Sequence, residues 1–180
     1  TFTVSGNRGE AGARVILFED RGVTPVGQSD VLTGELWSAS VTLPPGAAPL
    51  IAKQSKGDHE SGRSEVRLFK VRPPALTSVS VTNPTLTTIE FSGAGLTNAT
   101  VEITIVKGPA GATLPPAVVV TAGSWRTTSQ NWPIGDYDLK IVQKVSDNAG
   151  GWIPSHEYLF KTSSELPPPT EVTYTVSNYT

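Results

Sequence analysis

The sequence predicts an all-β chain made of two tandem antiparallel β-sandwiches, and three observations carry that prediction. Glycine (17) and proline (15) are plentiful over 180 residues, and long amphipathic segments are missing, which suits short strands joined by tight turns. A tryptophan strand ending in a proline- and glycine-containing corner occurs twice, once in Gly34–Gly46 and again in Gly123–Gly135. A proline pair followed by alternating apolar residues also occurs twice, at Pro73–Pro74 and Pro168–Pro169. The repeat is therefore one of whole modules, roughly 80 to 95 residues each, a workable size for an independent core.

In chain order, Phe2 and Val4 alternate with threonine and serine before the Gly6–Gly9 turn, and Ile89 and Phe91 before Gly93 form the second copy. Ala13–Phe18 is matched by Val101–Val106, where the period of two places Val101, Ile103 and Ile105 toward the core. Trp37, Ala39, Val41 and Leu43 share one strand face, so Trp37 is expected in the first core. Its replacement by alanine should cost about 3 to 5 kcal/mol. Trp125 and Trp132 stand at an odd spacing, which would put them on opposite faces, so the sequence predicts a β-bulge between them.

Tyr137, Leu139 and Ile141 then alternate inward. Leu50–Gln54 is the counterpart segment, with Gln54 and Gln143 in the same slot. Tyr137 follows the corner closely enough for its hydroxyl to reach local backbone, as in the tyrosine corner of immunoglobulin-like sandwiches, whereas its counterpart in the first copy is Ala48. Polar loops are expected at Ser55–Ser64 and Ser146–Ser155, followed by last strands at Glu65–Lys70 and Glu157–Lys161.

The two proline pairs set the module boundaries. Residues 1–72 form the first module, with its first strand missing, and residues 73–167 form the second. Residues 168–180 are an orphan first strand or docking tail, with Val172, Tyr174 and Val176 on one face. Proline pairs cannot donate ladder hydrogen bonds and suit stiff linkers. The tail is expected to add to an open strand edge, within one chain or between chains.

Composition excludes several function classes. Cysteine and methionine are absent, which removes disulfides, thiol nucleophiles and thiolate metal sites. A formal net charge of -2 with no basic run lacks the footprint of a nucleic-acid binder. No run approaches the roughly 18 apolar residues of a membrane helix, so membrane insertion is not expected. The opening Thr1–Val4 carries neither an initiator methionine nor a signal pattern, and the chain reads as an excised segment.

Taken together, Gly6, Ala13–Leu17, Trp37–Gly46 and Leu50–Ser61 resemble the bacterial immunoglobulin-like modules that recur in large exported surface proteins. Ala11-Gly12 replaces the usual proline–glycine, and Ala48 replaces the tyrosine that Tyr137 keeps. The resemblance implies two immunoglobulin-like sandwiches at a bacterial cell surface or outside the cell, serving as non-catalytic spacer or adhesion modules. Implied partners are neighbouring modules of the same polypeptide and a host or cell-surface protein or glycan. Two alternatives stand beside it, a carbohydrate-binding module and an assembly or fibre subunit that self-associates through residues 170–180.

Chemistry-bearing candidates are few. There is no Gly-x-Ser-x-Gly elbow or other positioned nucleophile, so no enzyme is expected and no catalytic residue is named. Asp58-His59-Glu60 are consecutive and converge poorly on one ion. Asp136, Asp138, Asp147 and Asn148 carry oxygens that suit calcium, but without the spacing of a calcium loop, so no cofactor is assigned. Trp152, set among glycines, is the sharpest ligand candidate because an indole can stack on a sugar face. Asp147, Asn148 and His156 would complete that site.

Overall fold

Side-chain alternation decides which face of each strand goes inside, and the strands follow it closely. The structure, a computed structural model, describes residues 1–85 and 87–165, so the strand expected at 170–180 lies outside the described residues. The first repeat contains β1 (Phe2–Gly6), β2 (Arg14–Glu19), β3 (Pro25–Ser29), β4 (Trp37–Val41), β5 (Gly46–Lys56), β6 (His59–Glu60) and β7 (Arg67–Val71). The second contains β8 (Val79–Thr85), β9 (Thr88–Ala94), β10 (Thr100–Lys107), β11 (Val118–Val119), β12 (Ser124–Gln130), β13 (Gly135–Ser146), β14 (Trp152–Pro154) and β15 (Tyr158–Ser164). All are antiparallel in their recorded pairings.

Pairing reveals a strand-for-strand repeat. β1 pairs with β4 as β9 pairs with β12, each placing a glycine opposite a tryptophan: Gly6 opposite Trp37 and Gly93 opposite Trp125. Besides β2 and β10 respectively, the long strands β5 and β13 each carry two further partners, β7 and β6 in the first repeat and β15 and β14 in the second. β2 and β3 correspond to β10 and β11 in the same way. Among the described residues, β8 alone has no counterpart, and it pairs with β9 on the side away from β12.

By compactness the chain divides into a first unit, Thr1–Pro74 with Lys144–Ser155, and a second, Ala75–Gln143 with the residues from His156 onward. In the first, β3 pairs with both β2 and β4, so one sheet of order β1-β4-β3-β2-β5 curls round its core. That core is Val4, Val15, Leu17, Leu32, Ala39, Val41, Leu43, Ala48 and Leu50. In the second, β8-β9-β12 is one sheet and β11-β10-β13 the other. Ile89, Phe91, Val101, Trp132, Tyr137, Leu139 and Ile141 are buried in it. The expected inward residues Val101 and Ile103 are buried, while Ile105 is half-buried.

The expected bulge between Trp125 and Trp132 is absent. β12 runs in unbroken register from Ser124 to Gln130, burying Trp125, Thr127 and Ser129 on one face. The strand then ends, and Asn131, at φ 60°, takes the left-handed conformation that asparagine tolerates. That turn brings Trp132 inward, where its backbone N–H donates to the Thr87 carbonyl (3.2 Å) and its indole N–H to that of Thr113 (2.8 Å). A single backbone torsion does the work that a bulge was expected to do.

The tyrosine corner forms as expected. The Tyr137 hydroxyl donates to the Pro133 carbonyl at 2.6 Å, and its ring packs 4.3 Å from Trp132. Burial pushes the phenol pKa above its ordinary value. The two polar loops, by contrast, are hairpins: Lys56 pairs with His59 across Gly57, and Ser146 pairs with Trp152. Gly57 supplies the positive φ that the shorter turn demands.

Candidate functional site

Hairpin β13–β14 holds three of the four residues that the sequence singled out. Its turn is organised by Asp147, whose Oδ1 accepts the backbone N–H groups of Ala149 (2.9 Å) and Gly151 (2.7 Å). The Asp147 N–H in turn donates to the Gly151 carbonyl at 3.0 Å. Asn148 is exposed, with φ at 58°, and its N–H donates to the Ser146 hydroxyl at 3.0 Å. An aspartate at the head of such a turn satisfies orphan backbone donors that a strand ladder would otherwise leave open.

Within the first unit, Lys70 of β7 reaches the same carboxylate, its ammonium donating to Oδ2 at 3.0 Å. The Ala149 N–H, the Lys70 ammonium and the Gly151 N–H together hold Asp147 at a pKa of about 2. Each donor stabilises the ionised form. Both carboxylate oxygens are thus engaged inside the fold.

Trp152 stands opposite Ser146, two residues along the ladder from the Lys144–Pro154 pair. Lys144 and Trp152 are diagonal neighbours on one face, and the ammonium sits 4.7 Å from the indole centroid, within cation–π range. Trp152 remains 51 % exposed, whereas its neighbour Ile153 is buried. The alternation of a half-buried hairpin explains that pair. His156 is exposed and belongs to the second unit. The hairpin brings Asp147, Asn148 and Trp152 together; His156 follows beyond the buried Ser155.

Other candidates are dispersed. His59 lies exposed on β6, and Lys53 pairs with Glu60 at 2.9 Å. Asp138 pairs with Lys161 at 3.4 Å. Among the described residues, no group of three or more histidine, aspartate or glutamate side chains is placed to hold a metal ion.

A second feature lies in the first unit. An open groove of about 640 Å³ runs beside β1, lined by Val4, Gly6, Leu17, Trp37, Leu50 and Phe69 among others. Trp37, expected in the core, is only half-buried there, with its indole N–H donating to the Asn7 carbonyl at 3.2 Å. Trp125 makes the equivalent bond to Ala94 (3.3 Å) yet is only 4 % exposed. The two repeats also differ at this edge: β8 runs along the outer edge of β9, whereas among the described residues no strand runs along that edge of β1.

No protein-family model matches the chain, and no curated protein matches it either. Solved structures do. A two-domain fibronectin type-III segment of chicken tenascin is similar over 89 % of this chain and 91 % of its own, at 17 % identity and a TM-score of 0.58. A cytokine receptor complex is similar over 90 % and 91 %, at 13 % identity and a TM-score of 0.50. A biofilm-associated protein BSP domain aligns over 92 % of this chain and 28 % of its own, at 18 % identity and a TM-score of 0.34. The fold is therefore two tandem immunoglobulin-like antiparallel β-sandwiches of the kind that includes fibronectin type-III domains. Among the described residues, no helix is long and apolar enough to cross a membrane.

Proposed function

We infer that the chain serves as non-catalytic structural or adhesion modules of a larger exported bacterial protein, of the bacterial immunoglobulin-like type, at the cell surface or outside the cell. The observation that carries this reading is the strand-for-strand repeat. What recurs is the glycine–tryptophan pairing, the glutamine of the fifth strand and the hairpin that follows it. Features that repeat in a tandem array are those needed to build and stack modules. The half-exposed Trp152 does not repeat, and Asp147 is consumed by its own turn and by Lys70.

The half-exposed Trp152 favours a second reading, a carbohydrate-binding module. Stacking of a sugar on a solvent-facing indole needs one open ring face, and Lys144 lies over the other. A glycan array probed with the wild-type chain and with Trp152→Ala separates the readings. Structural modules retain no glycan in either form. A glycan held by the wild type and lost in Trp152→Ala would replace the structural reading with the carbohydrate-binding one.

A further inference from the structure

The two repeats treat the far edge of the tryptophan strand differently. In the first, β3 pairs with β4 along that edge, with Gly27 opposite Val41, Gln28 opposite Ser40 and Ser29 opposite Ala39. In the second, β11, the counterpart of β3, is two residues long, and β12 ends its sheet. Residues 108–117, which lead to β11, hold Pro109, Pro115 and Pro116 and form no strand. β12 grips this strap through side chains. The Thr127 hydroxyl donates to the Pro116 carbonyl (2.9 Å) and the Ser129 hydroxyl to that of Thr113, while Pro115 is buried. Proline lacks the N–H that a ladder needs, so the strap caps the core without pairing the edge.

One bridge shows what that edge presents. Ser124 exchanges both backbone bonds with Thr121, on the side of β12 away from β9. Backbone groups alternate sides along a strand, so Arg126, Thr128 and Gln130 aim theirs the same way. Among the described residues, no strand pairs with them. β12 runs for seven residues in unbroken register, with no proline and no bulge. Its one charge, Arg126, pairs with Glu90 of the same sheet at 3.3 Å. Sheet edges are ordinarily blunted by brevity, proline, bulges or lysine. β11 is blunted by its length and β8 by Pro84 and a register shift; β12 has none of these devices.

We propose that β12 pairs antiparallel with β12 of a second copy of this chain, about a twofold axis through Thr128, joining the two β8-β9-β12 sheets into one. The strand itself selects this occupant and this register. With the axis at Thr128, that residue faces the partner's Thr128 and Arg126 faces the partner's Gln130, and each facing pair exchanges both backbone bonds. Facing threonines are a favourable cross-strand pair. An axis at Arg126 would set two guanidinium groups directly opposite each other, which is unfavourable. An axis at Gln130 would carry Arg126 past the end of the partner's strand. The contact uses the same surface on both copies and therefore closes at two.

Light scattering coupled to size exclusion, over a concentration series of the full chain, tests the proposal. The expected result is a mass that rises from one copy to two and stops there. Hydrogen exchange should show the amides of Arg126, Thr128 and Gln130 gaining protection as the dimer forms. Thr128→Pro removes an N–H that no strand of the same copy uses, and Thr128→Lys sets two ammonium groups opposite each other at the axis. Both variants should keep monomer mass at every concentration. The Thr128 side chain is exposed, so Thr128→Lys decides the matter if the proline variant fails to fold. A wild-type chain that stays monomeric throughout, species that grow beyond two copies, a dimer without protection of those three amides, or a dimer that persists in Thr128→Lys overturns the proposal.

Discussion

Strand β9 carries β8 along its outer edge, whereas β1, in the same place in the first repeat, ends its sheet among the described residues. The tryptophans behind those edges differ too. Trp125 is buried and Trp37 half-buried, although each packs on its glycine and donates to the equivalent backbone carbonyl. The same local motif is core in one repeat and lines an open groove in the other.

The largest effect should separate those two residues. Trp125→Ala removes a fully enclosed indole and should cost about 3 to 5 kcal/mol. Trp37→Ala, at a site already open to solvent, should cost about 1 to 2 kcal/mol by lost apolar burial. Chemical denaturation of each variant, followed by a probe specific to each unit, measures the difference. Equal losses would mean that the difference in burial between the two indoles carries no weight in stability.

A smaller contrast concerns the paired glutamines. Gln143 is 1 % exposed, and its Oε1 accepts the Leu96 N–H at 2.8 Å. Gln54 makes the matching tie to the Glu10 N–H at 2.7 Å but is half-buried. Gln143→Ala strands a donor away from water and should cost about 1 to 3 kcal/mol. Gln54→Ala lets water replace the side chain and should cost well under about 1 kcal/mol. A melting-temperature comparison of the two variants checks the order.

The hairpins differ in how they answer to acid. The turn of β5–β6 is set by Gly57, whereas that of β13–β14 is held by the Asp147 carboxylate. Asp147 sits at a pKa of about 2 when folded, below an unfolded value of about 3.9. Its contribution is therefore fully present above about pH 4 and is lost as pH falls through about 2. A carboxyl-detected NMR titration should place its midpoint near the lower value. A midpoint near 4 would mean that the turn donors and Lys70 do not hold the anion.

Much of this was legible in the residues. Period-two alternation located β1, β10 and β13, and the spacing from the corner to Tyr137 located the bond to Pro133. The shared slot of Gln54 and Gln143 was visible too, because both follow the same alternating run. Three features were not. Asn131 resolves the tryptophan spacing through one left-handed torsion, which alternation cannot encode. The segment Ser146–Ser155 reads as polar loop because its ladder is short and its turn is closed by a side chain. The half-exposure of Trp37 is not announced by its place in an alternating strand.

The central claim is that the outer edge of β9 is covered by β8, whereas among the described residues β1 pairs only with β4. Hydrogen exchange reads the two strands residue by residue. The amides of β9 should be protected, while those of β1 that face away from β4 exchange faster. Protection of β1 equal to that of β9 would contradict the account.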